Sequence, residues 1–185
     1  MSDRTILALV VSLLFALRLT ELLLSNAQKQ KGSVKYSWTT TALVLSGIFV
    51  YAGSAVEVLI WDFKLVWPLV IAGGVLCLLR ISIKIWAVRT LGKAWSAFVE
   101  VREGQRLVQD GPYRFVRHPV YLSAFFEVVC IPMISCAPII AAYAIFVHWA
   151  LIVIRTRAEE STLRSQFGEQ WDEYARRVPR FLPRL

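Results

Sequence analysis

"VYLSAFFEVVCIPMISCAPIIAAYAIFVHWALIVI", residues 120–154, holds one acidic residue, Glu127, one histidine, His148, and no lysine or arginine. Crossing a bilayer core as a helix takes roughly 20 apolar residues, and this run is far too long for one crossing. Near its middle "CIPMISCAP", residues 130–138, contains Pro132 and Pro138. Proline breaks helices and punctuates turns, so the run predicts a helical hairpin with arms over 120–132 and 138–154.

Working back from the hairpin, three more apolar stretches cover 6–24, 38–61 and 65–88. Each approaches or exceeds one bilayer crossing. The expectation is an all-α integral membrane protein of five spans, a single membrane domain over 1–185, with a loop at 89–119 and a tail at 155–185. Composition agrees. Of 185 residues 57% are hydrophobic and 18% charged, whereas an ordinary soluble domain carries about a quarter charged residues. A cleaved leader is a poor reading of the first stretch, because Arg18 and Glu21 interrupt it.

The net charge is +8, but the basic residues fall between apolar runs. They form no stripe interleaved with aromatics, which argues against nucleic acid. Lys29, Lys31 and Lys35 lie in the first loop, Arg89, Lys93, Arg102, Arg106, Arg114 and Arg117 in the third, and further arginines follow Arg155. With five spans all three segments share one side. The positive-inside rule makes that side cytoplasmic and puts the N-terminus outside. Cys77, Cys130 and Cys136 lack metal-ligand spacing and read as small buried hydrophobes. No metal site is expected.

The chemistry gathers in the third loop and the tail. In "LGKAWSAFVEVREGQRLVQDGPYRFVRHPVY", residues 91–121, "SAFVEV" and "RLV" read as short extended pieces around "REGQ", followed by a turn at Asp110-Gly111-Pro112. Pro119 suits the first turn of the next helix, where its missing N–H would be unpaired anyway. Arg114 and Arg117 could anchor that helix at lipid headgroups, but His118, between Tyr113 and Tyr121, has no such routine account. In the tail Arg155 and Glu159 share a helix face, with Glu160 turned aside. An i,i+4 ion pair explains that spacing, yet Arg155 directly follows an apolar run and should face protein or a polar cavity rather than lipid. "FGEQWDEYARRV", residues 167–178, is amphipathic and basic and suits a membrane surface. Glu127 and His148, one on each hairpin arm, could pair with each other or line a cavity.

Assembled, these motifs resemble the isoprenylcysteine carboxyl methyltransferase family of integral membrane enzymes. The resemblance rests on "LGKAWS" at 91–96, "RLVQDGPYRFVRHPVYLS" at 106–123, and Arg155 with Glu159-Glu160 followed by "FGEQWDEYARRVPRFLP". It implies an S-adenosylmethionine site built from the cytoplasmic loop, the RHP-Y element and the C-terminal helix. On this reading Gln105, Arg106, Leu107, Val108, Tyr113, His118, Pro119, Val120 and Tyr121 hold the cofactor, with Glu100 a looser candidate. Arg155 and Glu159 face the reacting group, supported by Glu160. Eukaryotic members carry additional N-terminal spans, so the resemblance covers a methyl-transfer core and leaves prenylated cysteine open as the acceptor.

The resemblance thus implies methyl transfer to a lipophilic, prenyl-like acceptor, most simply a carboxylate oriented by Arg155. Three alternatives stand beside it. Phospholipid-type N-methylation would use the same residues with a base among Glu159, Glu160 and His118. Sterol-type NADPH-dependent membrane reductases also resemble this chain in an RHP-Y element, but they usually have Asn where Val120 stands. A non-enzymatic scaffold would need only the spans. A glycine-rich dinucleotide turn is unsupported, since Gly73-Gly74 falls inside a span.

Overall fold

The computed structural model describes residues 3–27, 33–35, 37–61, 64–92, 99–101 and 106–182. Helix α1 runs over Asp3–Ala27, α2 over Ser37–Ile60, α3 over Trp67–Leu91 and α4 over Pro119–Ser135. After a short turn α5 (Pro138–Tyr143) passes through a π-helical turn, Ala144–His148, into α6 (Trp149–Phe167), and α7 covers Glu169–Arg177. Three helices, Trp38–Ile60, Trp67–Leu91 and Pro138–Phe167, are long and apolar enough to cross a membrane, and Thr5–Thr20 and Pro119–Ser135 are shorter apolar helices. The protein is an integral membrane protein of multiple apolar helices. Its outer faces carry side chains such as Leu13, Leu78 and Phe146, which are 61%, 67% and 73% exposed. Such a surface belongs in lipid, where exposed leucine and phenylalanine cost nothing.

The predicted hairpin is present, but Pro132 does not end its first arm. Helix α4 continues past Pro132 to Ser135 and stops at Cys136, which adopts a left-handed conformation with φ 53°. Ala137 N–H donates to Pro132 O at 2.8 Å and Cys136 N–H to Met133 O at 3.2 Å, so the turn satisfies the last carbonyls. A proline kink is tolerated in an apolar helix whose neighbours and hydroxyl side chains re-satisfy the freed backbone groups. Pro138 then opens α5, whose next two amides, Ile139 and Ile140, donate at 3.0 Å each to the two oxygens of Glu57 on α2.

The core lies where α1, α2, α4 and α5 meet, around Val11, Val50, Tyr51, Val128, Ile131, Ile140 and Ala144. Helix α3 packs along α4 through Gly73. A Cβ there would stand 2.9 Å from the Ile134 side chain and 3.0 Å from its backbone nitrogen, so only glycine permits this approach. All three cysteines are free thiols, with Cys130 and Cys136 buried.

Two sequence expectations are corrected in the polar segments. "VEV" at 99–101 is extended, but it pairs antiparallel with Ser33–Lys35 of the first loop, in register Val34 opposite Glu100. "RLV" at 106–108 forms no strand; a strand's partner is set by tertiary contact, which local sequence does not specify. Helix α7 does not present its apolar face to a membrane either. Trp171, Tyr174 and Val178 are buried against Leu107, Leu163 and Phe167, so the protein itself covers the amphipathic stripe.

Candidate functional site

The "GPYRFVRHPVY" segment reaches the site through two tight turns. Gly111, at φ 56°, starts a short 3-10 helix, Gly111–Arg114, and a Cβ there would meet Thr90 Oγ1 at 2.5 Å. Tyr113 is buried beneath α7, its carbonyl accepting the Tyr174 hydroxyl at 2.7 Å. Burial, and then the nearby Glu159 carboxylate, pushes the Tyr113 phenol well above its ordinary range, which keeps it protonated. Arg114 lies over the exposed Phe115 ring, 4.6 Å from its centroid, as an interfacial residue would.

His118 precedes α4, and the chain's own tail straps over it. Arg117 N–H donates to Pro179 O at 2.9 Å and His118 N–H to Arg180 O at 3.2 Å. The His118 ring is 3% exposed, with Nε2 3.0 Å from Glu160 Oε1. Arg180 donates from Nε to the same oxygen at 3.0 Å and from its terminal nitrogen to Glu160 Oε2, while Arg117 stands 3.2 Å from Oε1. Arg117 also lies 5.6 Å from the Trp171 ring centroid and donates to Ala175 O. These contacts are thus to the protein's own tail. Burial pushes the Glu160 carboxyl up, but hydrogen bonds from His118 and Arg180 and the Arg117 guanidinium outweigh it. Its pKa is lowered to about 2.

One helical turn into α4, Tyr121 joins the two tail residues that sequence spacing put on one face. Its hydroxyl donates to Glu159 Oε2 at 2.6 Å and accepts Arg155 Nε–H at 3.0 Å. Arg155 is 2% exposed, and its NH1 donates to Thr39 Oγ1 on α2 at 2.7 Å. The prediction that Arg155 faces protein rather than lipid holds, and Glu159 and Glu160 diverge as their spacing requires. Tyr121 and His118 pack edge to face at 5.7 Å, and Phe181 lies 6.0 Å from His118 and 4.7 Å from Trp149. Two linked clusters result: His118–Glu160–Arg180 and Arg155–Tyr121–Glu159.

Tyr121 also lines a cavity of about 160 Å³ between the helices, with Phe15, Gly47, Ile48, Val120, Ala124 and Ile152 among its walls. Glu127 and His148 both line it, but they do not pair with each other as one sequence reading had it. Glu127 instead holds Arg18 Nε and Arg80 NH1 at 2.8 Å each and accepts the Tyr51 hydroxyl at 3.0 Å. His148 Nδ1 lies 2.9 Å from Ser46 Oγ.

Residues 71–165 match the isoprenylcysteine carboxyl methyltransferase (ICMT) family, a little over half of the chain. The chain belongs to that family. Its matched region contains His118, Tyr121, Arg155, Glu159 and Glu160, while Arg180 and Phe181 lie beyond it. An Arabidopsis thaliana protein-S-isoprenylcysteine O-methyltransferase B is 34% identical over 99 residues, covering 52% of this chain and 50% of that protein. A nickel-cobalt-cadmium resistance protein NccN from Alcaligenes xylosoxydans xylosoxydans is 34% identical over 97 residues, 52% of this chain and 45% of its own length. This chain thus spans about half the length of those relatives. The structure of a eukaryotic intramembrane Ras methyltransferase, ICMT, superposes with a TM-score of 0.62 at 24% identity, over 81% of this chain and 54% of that one. The fold is ICMT-like.

The remaining candidates divide. Pro119 is buried at the start of α4, and Val120 lines the cavity rather than the recess at His118. Leu107 packs on the α7 cluster, Val108 is half-buried and Arg106 is exposed. Gln105 lies outside the described residues, as does most of "LGKAWS", and Glu100 is described only by its backbone pairing. Sequence reasoning missed Thr39, Arg180 and Phe181. Thr39 was visible in "TTT" at 39–41, three hydroxyls opening an apolar helix, and Arg180 as a charge between two prolines.

Proposed function

We propose that this chain transfers a methyl group from S-adenosylmethionine to the carboxylate of a lipophilic acceptor at the cytoplasmic face of a membrane. The observation that carries the reading is the Arg155–Tyr121–Glu159 relay, whose Tyr121 lines a mostly apolar cavity, in a chain of this family. If all five apolar helices cross the membrane, the three basic segments share one side, and the positive-inside rule supports a cytoplasmic loop, tail and relay.

The donor set suits the cofactor. Glu159 offers a carboxylate toward a cation, Tyr113 a phenol held protonated, and His118, Phe181 and Trp149 offer aromatic faces. Tyr113, His118 and Tyr121 would hold the group. When bound, S-adenosylmethionine supplies an activated methyl on a sulfonium. What is left to the protein is positioning and the exclusion of water.

Arg155 performs the positioning. A guanidinium binds a carboxylate by charge-assisted hydrogen bonds, and Thr39 and Tyr121 fix this one on two sides. An acceptor carboxylate with a pKa near 4 is ionised at neutral pH and needs no base. An ammonium nucleophile would have to lose a proton first, and Glu160, with its pKa at about 2, is too weak a base to take it. Arg155 beside an ammonium is also repulsive. The cavity leading away from Tyr121 accommodates the apolar body of the acceptor, which reaches it from the surrounding lipid.

Binding to the purified protein tests the reading. S-Adenosylhomocysteine should bind saturably, and more than tenfold more weakly to His118→Ala. Tight NADPH binding with no binding of S-adenosylhomocysteine would overturn it in favour of a reductase, and binding of neither would favour a scaffold.

A further inference from the structure

Of the buried ionisable side chains in the acceptor cavity, Glu127 is held by Arg18, Arg80 and Tyr51, while His148 has no ion pair among the described residues and no part in the relay. His148 is 3% exposed and ends the π-helical turn Ala144–His148. Such turns are rare and concentrate at functional sites, because the extra residue per turn re-aims a side chain. Here the re-aimed side chain is an imidazole in the wall of a cavity lined mostly by apolar residues. A polar group at such depth is costly unless something uses it.

The hydrogen bonds around the ring decide what it can offer. Tyr143 Oη lies 2.9 Å from Ser46 Oγ, and Ser46 Oγ lies 2.9 Å from His148 Nδ1. Among the described residues Ser46 is the only side-chain hydrogen-bond partner of His148 and of Tyr143. Tyr143 is half-buried, and the chain of hydrogen bonds can run in either direction. In the direction that gives every described hydroxyl in the chain a protein acceptor, Tyr143 donates to Ser46 and Ser46 donates to His148 Nδ1. A neutral imidazole accepting at Nδ1 carries its proton on Nε2. The opposite polarity would leave the phenolic proton with no acceptor among the described residues.

We propose that His148 is a specificity-determining residue whose Nε2–H donates to an oxygen on the body of the acceptor, so that the cavity selects a carbonyl- or hydroxyl-bearing lipophilic acid over a plain hydrocarbon chain. The proposal rests on the acceptor reading given above for this cavity. Ser46 and Tyr143 are positioning residues that fix the tautomer, and Gly47 beside Ser46 lines the same cavity as His148 and adds no side chain to it.

The test uses labelled dodecanoic acid and its monohydroxy isomers, with the hydroxyl moved along the chain, on the full protein in lipid nanodiscs. Equilibrium binding is measured first, without turnover, and methyl transfer from S-adenosylmethionine second. At least one hydroxy isomer should bind about tenfold more tightly than dodecanoate, the scale of one buried hydrogen bond. His148→Leu should abolish that preference, so that the hydroxy isomers bind no better than dodecanoate, His148→Gln should restore part of it, and Ser46→Ala should reduce it. If every isomer binds wild-type protein no better than dodecanoate, or if Ser46→Ala and His148→Leu keep the preference, the proposal is overturned. Selective binding with no methyl transfer would uphold His148 and refute the methyltransferase reading; methyl transfer without selectivity would do the reverse.

Discussion

Replacing Tyr121 with phenylalanine removes one oxygen and tests the relay at its centre. That oxygen accepts Arg155 Nε–H at 3.0 Å and donates to Glu159 Oε2 at 2.6 Å. Each is a hydrogen bond to a charged group, worth about 1.5–3 kcal/mol. Arg155 and Glu159 sit one helical turn apart and can partly re-pair when the bridge is lost, so the net cost should be about 2–3 kcal/mol. At 1.4 kcal/mol per factor of ten, that is a loss of roughly 30- to 150-fold in kcat/KM. The ring stays, and with it the edge-to-face packing on His118 at 5.7 Å, so the fold and much of the cofactor affinity should persist. The assay is transfer of labelled methyl from S-adenosylmethionine to a lipophilic acid, alongside binding of S-adenosylhomocysteine. Because the three residues act as a unit, Tyr121→Phe combined with Glu159→Gln should cost less than the two single losses summed. Activity within twofold of wild type, or strict additivity, would refute the relay.

Further expectations concern the scaffold around the site. Glu127→Gln removes a buried carboxylate shared by Arg18 and Arg80, which should destabilise the protein by about 3–5 kcal/mol; an unchanged thermal midpoint in detergent would contradict that role. Trp171→Ala removes a 4% exposed ring from beneath α7, at about 3–5 kcal/mol of local packing. Trypsin should then cut at Arg176 and Arg177 much faster, and an unchanged digestion rate counts against the docked tail. The Glu160 clamp has a pH signature. Its folded pKa, about 2, is below the ordinary carboxylate value near 4, so its stabilisation is complete above that value, declines as the pH falls below it, and is gone once the pH has dropped through about 2. Acid-induced release of the tail, followed by tryptophan fluorescence, should lose this component in Glu160→Gln, and identical acid profiles would exclude the clamp.

Hydrophobic run length is a one-dimensional property, and it placed the apolar helices and the hairpin at positions close to those in the structure. What Pro132 does depends on whether other groups can take up the carbonyl it frees, which is why α4 runs on to Ser135. Arg155 and Glu159 were legible because i,i+4 spacing is local. That Tyr121 bridges them, and that Thr39 holds the far side of Arg155, needed residues separated widely in sequence to be brought together. The same limit hid the partners of Glu127. Its carboxylate lies opposite arginines from α1 and α3, while the nearest polar residue legible on the other hairpin arm was His148. Amphipathicity in α7 was real, but a hydrophobic stripe does not say whether lipid or protein covers it. Leu107, Leu163 and Phe167 do.

The claim that matters most is that Arg155 presents a carboxylate for methylation. It is tested by incubating the purified protein with methyl-labelled S-adenosylmethionine and a membrane lipid extract, then treating the product with mild alkali. A methyl ester releases its label as methanol, whereas an N-methyl group does not. The account predicts alkali-labile label from wild-type protein and at least 100-fold less from Arg155→Ala, the scale of a lost charge-assisted contact. Alkali-stable label, or undiminished transfer by Arg155→Ala, would contradict it.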